Sequence, residues 1–465
     1  MQTNNNLKDV LDEFADTMEG PVFTPDSAGY EREISVFNLS VTHHPAVVVG
    51  ATCPADVAQA VLMARRAGLG VAVLRTGHGP TLPAGQDTLV VNTSRMSGIA
   101  IDAAARTACV EAGVLSGDLA EAAAEYGLAA LVGSSPGVGI VGYTLSGGAS
   151  LTLGRMHGWA CDHVLSMGVV TADGELHQVS GSHEPELFGA LLGGKSNFGV
   201  VTSMTMSLFP ATRLHAGSLF FSGADAHAVL EAYRELTANA PDELTSALAI
   251  FNFPPLPNIP EFMHGMTVSV RLSYLGDPAA ADALLAPLRA AAPVLADTVG
   301  QIGPEDFASI SNDPVEPAAA VEHFALLRHF EPATIDSLLD VVGIDSGTSV
   351  NIVDIRHLGG AFANPPRTRN AVGARDTEFA MFALTVVPPG LPVESYANAG
   401  REVLERLAPW LRPGKHPSFL SPADAGEGGP AQAYDAATLH WLRRLKAEYD
   451  PGNTFRTNHN ITPAG

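Results

Sequence analysis

Residues 134–148 read Ser-Ser-Pro-Gly-Val-Gly-Ile-Val-Gly-Tyr-Thr-Leu-Ser-Gly-Gly, with five glycines in fifteen positions and no charge. Such a run suits neither a helix interior nor a solvated linker. Glycine lets bare backbone approach a ligand closely, and successive main-chain N–H groups can then cradle anionic oxygens. The plain alternative is a glycine-rich surface turn. The string Gly137-x-Gly139-x-x-Gly142, with Asp162 downstream, invites a dinucleotide-binding reading. That reading needs a strand before the glycines and a helix opening after them. Tyr-Thr-Leu-Ser-Gly-Gly after Gly142 is expected to break a helix, so a different glycine-built cofactor cradle is the better expectation.

The remaining sequence sets limits on what such a cradle serves. A chain of 465 residues is long for one core, and two domains are expected. Twenty-six basic against 49 acidic residues, net −23, argues against nucleic acid or an anionic membrane as partner. Three widely spaced cysteines make neither a disulfide framework nor a metal site, so no metal is expected. The N-terminus lacks a basic segment followed by an apolar one, and no run approaches the roughly 18 apolar residues of a membrane span. A soluble cytoplasmic protein is the expectation.

Taken in order, residues 7–18 have helical periodicity. Residues 46–74 read as strand, helix, strand, and the second strand feeds directly into Arg75-Thr76-Gly77-His78-Gly79-Pro80. A glycine-flanked histidine at the end of a buried strand stands where α/β folds bind ligands; the alternative is a hydrogen-bonded turn histidine. Short strands follow at 88–92, 98–102 and 107–111, then a helix at 117–126. After the cradle come strands at 163–171 and 176–179 about an Asp173-Gly174 turn, and a helix near 184–191. Beyond about residue 210 the pattern changes. Longer alternating runs at 217–221, 246–251, 267–274, 348–357 and 378–387 are interleaved with helices at 224–238, 278–291, 332–342 and 393–411. This reads as an antiparallel sheet backed by helices on one face.

Four segments, in this order, resemble the flavin-linked oxidases related to berberine bridge enzyme, in the vanillyl-alcohol oxidase superfamily. They are the Gly-His segment 75–80, the Ser-Pro-Gly-Val-Gly cradle with Gly147-Gly148, the block Gly-Gly-x-x-Asn-Phe-Gly-Val-Val-Thr at 193–202, and the tail Tyr-Asp-Pro-x-Asn-x-Phe-Arg-x-Asn-x-Asn-Ile at 449–461. The resemblance runs from about residue 40 to 462. It implies an α+β fold: a PCMH-type two-part FAD-binding domain plus an antiparallel-sheet substrate domain backed by helices. The implied division is a lead-in over 1–39, the FAD domain over 40–212, the sheet domain over 213–430, and a segment returning to the FAD domain over 431–465.

By the same resemblance the cofactor is FAD. Its contacts are expected from Arg75, Thr76, Gly77, His78, Gly79 and Pro80; from Ser135, Pro136, Gly137, Val138, Gly139, Gly142, Tyr143, Gly147 and Gly148; and from Asn197, Gly199, Val200, Val201, Asn458 and Asn460. His78 is the position that relatives link to the flavin. Where bicovalent relatives carry a cysteine this chain has Ser135, so a single covalent bond through His78 is expected. The arginine of the Gly-His motif is also displaced by one, to Arg75, with Thr76 where glycine is common.

The implied reaction is hydride transfer from a small substrate to the flavin while a base removes a proton. O2 is the expected acceptor, since Val138 stands where relatives carry a residue whose size gates oxygen. Tyr434, near the C-terminal helix, and His357 and Arg356, on strand 348–357, are the expected catalytic residues. Asp354 shares a strand face with Arg356, and His357 points to the other. The alternative for Arg356 and His357 is an interdomain ion pair. Proline- and aromatic-bearing loops at 252–262 and 358–366 suggest an apolar pocket wall, suited to a secondary metabolite. A dehydrogenase with another acceptor and a flavin-bound cyclase are the competing functions. The Gly-x-Ser-x-Gly elbow of a hydrolase is missing around Ser146.

Overall fold

The computed structural model describes residues 2–14, 17–79, 82–425 and 429–465. Pro80 lies outside the described residues.

Within the first 210 residues the described chain builds two main sheets and a two-stranded pair, Leu128–Ala129 with Phe209–Pro210. In one, Val47–Gly50, Thr88–Asn92 and Gly70–Leu74 run parallel with Thr88–Asn92 in the centre, and Val22–Phe23 adds an antiparallel edge. Parallel strands need crossovers, and Pro54–Ala67 is one. Proline at its start already has the helical φ, and Gly68 closes it in the left-handed region. The second sheet is antiparallel, in the order Ile99–Asp102, Thr107–Glu111, Val200–Ser207, Val164–Val170, Leu176–Ser180.

A large antiparallel sheet follows, with central order Leu214–Ser222, Gly265–Tyr274, Leu244–Phe253, Ile352–His357, Phe379–Val386, Ala320–Leu327. Because side chains alternate along a strand, one face collects Leu248, Ile250, Val268, Val270, Val353, Ile355, Met381 and Leu327. The helices Ala226–Ala238, Pro278–Ala291, Pro332–Val342 and Ala399–Leu407 cover that face with Val229, Leu285, Leu338 and Val403.

The chain then returns to its first part. The helix Ala436–Tyr449 starts at Asp435, whose carboxylate accepts from Thr438 N, and buries Trp441, Leu442 and Leu445 in the core of the second small sheet. A buried ion pair locks the return. Lys446 Nζ donates to Asp450 at 2.6 Å, to Asn197 O at 2.6 Å and to Phe455 O at 3.0 Å, and both charged side chains are fully buried.

Two expectations change here. Residues 140–145 do form a helix, Ile140–Leu145, despite the glycines that follow. It lasts six residues and no strand leads into it, so the dinucleotide fingerprint still does not fit. The strand Ala320–Leu327 is also absent from the sequence reading.

Candidate active site

Arg75 to Gly79 leave the C-terminal end of the parallel strand Gly70–Leu74. Phe37 N and Asn38 N donate to Thr76 O and Gly77 O, which pins this segment. Gly77 has φ +67, and a Cβ there would stand 2.4 Å from Val36 Cβ, so only glycine fits. His78 stacks on Phe37 with ring centroids 3.8 Å apart. Burial lowers its pKa to about 4, against the pull of Asp313, so the imidazole is neutral and nucleophilic at pH 7. Arg75 Nε donates to Gly113 O at 2.6 Å, and a cleft of about 350 Å³ opens beside it between Arg32, Asn92 and Arg95.

The cradle packs against this segment. A Cβ on Gly137 would sit 3.5 Å from His78 Nε2 and 3.8 Å from Ser135 Oγ, which brings the two motifs into one site. Val138 is half-buried, its carbonyl accepting from Ser116 N. Pro136 O accepts from Gly117 N. Gly142 and Gly79 face open space. At Gly148, φ +76, a Cβ would stand 2.8 Å from the Tyr143 ring. The Tyr143 hydroxyl is buried without a partner, and burial pushes its pKa up.

Asn197, Gly199, Val200 and Val201 are placed differently. The Asn197 side chain donates to Gly194 O and His459 O and accepts from Ile461 N, so it fastens the C-terminal segment. A Cβ on Gly199 would meet Val170 O at 2.5 Å, and Val200 and Val201 are core residues. Asn458 and Asn460 each keep a buried side-chain carbonyl without a partner, as a polar ligand would require.

Opposite the cradle stands the second face of the large sheet. Arg271, Asp354 and Arg356 lie on it, as do Ser269, Ser273, Phe324 and Phe382. Asp354, fully buried, is shared by Arg356 Nε at 3.1 Å and by the Arg271 guanidinium. Arg356 lies over the Phe382 ring, 5.3 Å from its centroid. Tyr143 and Glu322 both act on its charge, which ties this face to the cradle. Asp313 acts on His78, Arg271 and Arg356 alike. Burial raises the pKa of Glu322 to about 7, partly offset by Arg356. Phe324, Phe382 and Phe419 make an aromatic wall, with Phe324 5.7 Å from Phe382 and 5.6 Å from Phe419.

Three expectations are corrected by this geometry. His357 lies on the helix-covered face. Its Nε2 accepts from Arg155 at 3.1 Å, and burial followed by the Arg155 charge lowers its pKa to about 3. Tyr434 donates to Gly193 O at 2.7 Å, and burial raises its pKa, so its hydroxyl is already engaged. Of the three expected catalytic residues only Arg356 faces the cradle. The loop wall also moves: Phe362 is buried against Trp159, 4.9 Å away, while Leu256 and Phe262 are exposed. Sequence reading missed Glu322 because it missed its strand. The available signal was a single acidic residue on the same face as Phe324, two positions on.

The arrangement fits a flavin. A nucleophilic histidine, backbone held open by glycines, partnerless buried polar groups and a polar face opposite suit a flat, phosphate-bearing group with a substrate on its free side. The family described as "FAD binding domain" matches residues 45–180, and "Berberine and berberine like" matches 418–462. The chain is 28% identical to (R)-6-hydroxynicotine oxidase of Paenarthrobacter nicotinovorans over 97% of its own length and 98% of that protein's. To the carbohydrate oxidase of Microdochium nivale it is 33% identical over 199 residues, 42% of this chain and 40% of that protein. The solved structure of 6-hydroxy-D-nicotine oxidase from Arthrobacter nicotinovorans matches with a TM-score of 0.83 at 26% identity, covering 96% and 98% of the two chains. Xylooligosaccharide oxidase from Myceliophthora thermophila, solved with xylobiose, has the same fold, with a TM-score of 0.83 at 21% identity over 100% and 99%.

Fold, cradle and family matches define an FAD-dependent oxidoreductase. The chain carries the FAD-binding domain and the berberine-like C-terminal region of the berberine bridge enzyme-like FAD-linked oxidoreductases that it resembles.

Proposed function

We propose that the chain is an oxidase that removes two electrons from a small, partly aromatic substrate, FAD supplying the hydride acceptor and O2 the final acceptor, giving H2O2. The observation that carries this reading is that His78 sits beside Gly137 of the cradle while Tyr143 of the cradle and Glu322 of the sheet both act on the Arg356 charge. In this reading FAD is held by one covalent bond, at His78. Support comes from the neutral imidazole beside Gly137, and from Ser135, whose hydroxyl cannot form the thioether of bicovalent relatives. Phe324, Phe382 and Phe419 orient the substrate and exclude water. Arg356, steadied by Asp354, orients its polar group, and Glu322 accepts the proton. Val138 stands half-buried in the cradle, and in this reading its side chain is short enough to leave O2 room to approach.

The named activities of the relatives, on a hydroxylated nicotine and on carbohydrates, bracket the substrates to try first. Stopped-flow spectroscopy tests the oxidase reading: chemically reduced protein should reoxidise rapidly in air-saturated buffer with H2O2 formed, and Val138→Leu should slow that step. Slow reoxidation of the parent protein points instead to a dehydrogenase. A flavin that substrate never bleaches under anaerobic conditions points to a non-redox cyclase.

A further inference from the structure

The sheet face opposite the cradle offers more hydrogen-bond donors than the protein satisfies. Among the described residues Asp354 is the carboxylate paired with both Arg271 and Arg356, so the directly paired group has two guanidinium charges against one carboxylate; Asp313 acts on both arginines from a distance and pairs with neither. Arg271, 7% exposed at its side chain, keeps Nε without a partner, and the Ser269 and Ser273 hydroxyls are also unsatisfied. Arg356 hydrogen-bonds through Nε among the described residues, and its terminal nitrogens carry two further N–H groups each. The partnerless Tyr143 hydroxyl stands close enough for each charge to act on the other. Burying so many donors unpaired is costly unless an acceptor arrives with the ligand. The carboxylates nearby do not fill that role. Glu322 is largely uncharged below pH 7, and Asp313 sits half-exposed on the loop before Ala320–Leu327.

Resting on the functional reading above, the geometry points to a flat, apolar substrate bearing an oxyanion, held by the Arg356 guanidinium and the Tyr143 hydroxyl with its ring against Phe324, Phe382 and Phe419. This departs from the hydroxylated nicotine and the carbohydrates for which the relatives are named. A guanidinium takes a carboxylate through paired N–H bonds, and a tyrosine hydroxyl adds a neutral donor that leaves no charge behind when the site is empty. A cationic amine would meet an unpaired positive charge, and a sugar would leave the aromatic wall half-used.

The test uses the holoprotein and three isosteric probes: benzoate, benzamide and benzylamine. Binding is read by perturbation of the flavin absorbance and, independently, by calorimetry. Benzoate should bind more tightly than benzamide, and benzylamine least. Arg356→Met should weaken benzoate by about tenfold to a hundredfold, the worth of a hydrogen bond to a charged group. Arg356→Lys should recover part of the loss, and Tyr143→Phe should weaken benzoate by a smaller factor. Retained benzoate affinity in Arg356→Met, tighter binding of benzylamine, or no binding of any probe overturns the inference. Calorimetric benzoate binding to a colourless protein would keep it and sink the flavin reading instead.

Discussion

The two faces of the large sheet are made from the same strands and differ at every second residue. Along Ile352–His357, Val353 and Ile355 enter the helix-covered core while Asp354 and Arg356 lie on the other face, where Tyr143 of the cradle acts on Arg356. The covered face gains its stability from apolar burial, about 25 cal/mol per Å² removed from water. The other face holds an ion triad, partnerless hydroxyls and a carboxyl with a raised pKa, arrangements that favour reactivity over stability. His357 marks the boundary. Shifted one position along the strand from Arg356, it falls on the stabilising side and pairs with Arg155.

The sharpest way to break this comparison is Glu322→Gln. Losing the proton acceptor should slow flavin reduction by about 10²- to 10⁴-fold while FAD stays bound. In the parent protein the reduction rate should rise with pH and level off above about 7, because the acceptor must be unprotonated, and the variant should lose this limb. Unchanged reduction in the variant would place the acceptor elsewhere.

Neighbouring substitutions on opposite faces come next. Asp354→Ala leaves two arginines uncompensated and should cost about 3–5 kcal/mol of stability together with substrate binding. Ile355→Ala should cost about 2–5 kcal/mol through its cavity and leave flavin reduction near the parent rate. Denaturant melts with rapid-reaction traces on both proteins separate the faces.

Per side chain, the smallest effect is a pH dependence of stability. The pKa values of His357 and His416 are lowered to about 3 and that of His459 to about 4, chiefly by burial. An unfolded chain takes up these protons near pH 6.5, and the folded chain does not. Stability should therefore fall as pH drops below about 6.5, by up to about 1.4 kcal/mol per pH unit for each histidine. Thermal melts between pH 7 and 5 measure it, and His416→Phe should flatten the slope.

Much of the site was legible where local chemistry and periodicity agree. Glycines at 137, 139, 147 and 148 mark close approach, and the alternation over 348–357 assigns Asp354 and Arg356 to one face. Ala320–Leu327 was hidden because Ala, Glu and Leu favour helix in isolation, and only pairing with Phe379–Val386 makes it a strand. Tyr434 was misjudged for a related reason. Its place in the chain is near the C-terminal helix, but its hydroxyl direction is set by Gly193, 241 residues away.

A crystal structure of the holoprotein tests the central claim most directly. The account predicts the isoalloxazine ring seated on the glycine cradle, its free side turned to Tyr143 and the Arg356–Glu322 face, with continuous density from His78 to the flavin. A ring seated elsewhere, such as the cleft beside Arg75, with the polar face closed off by protein, would contradict it.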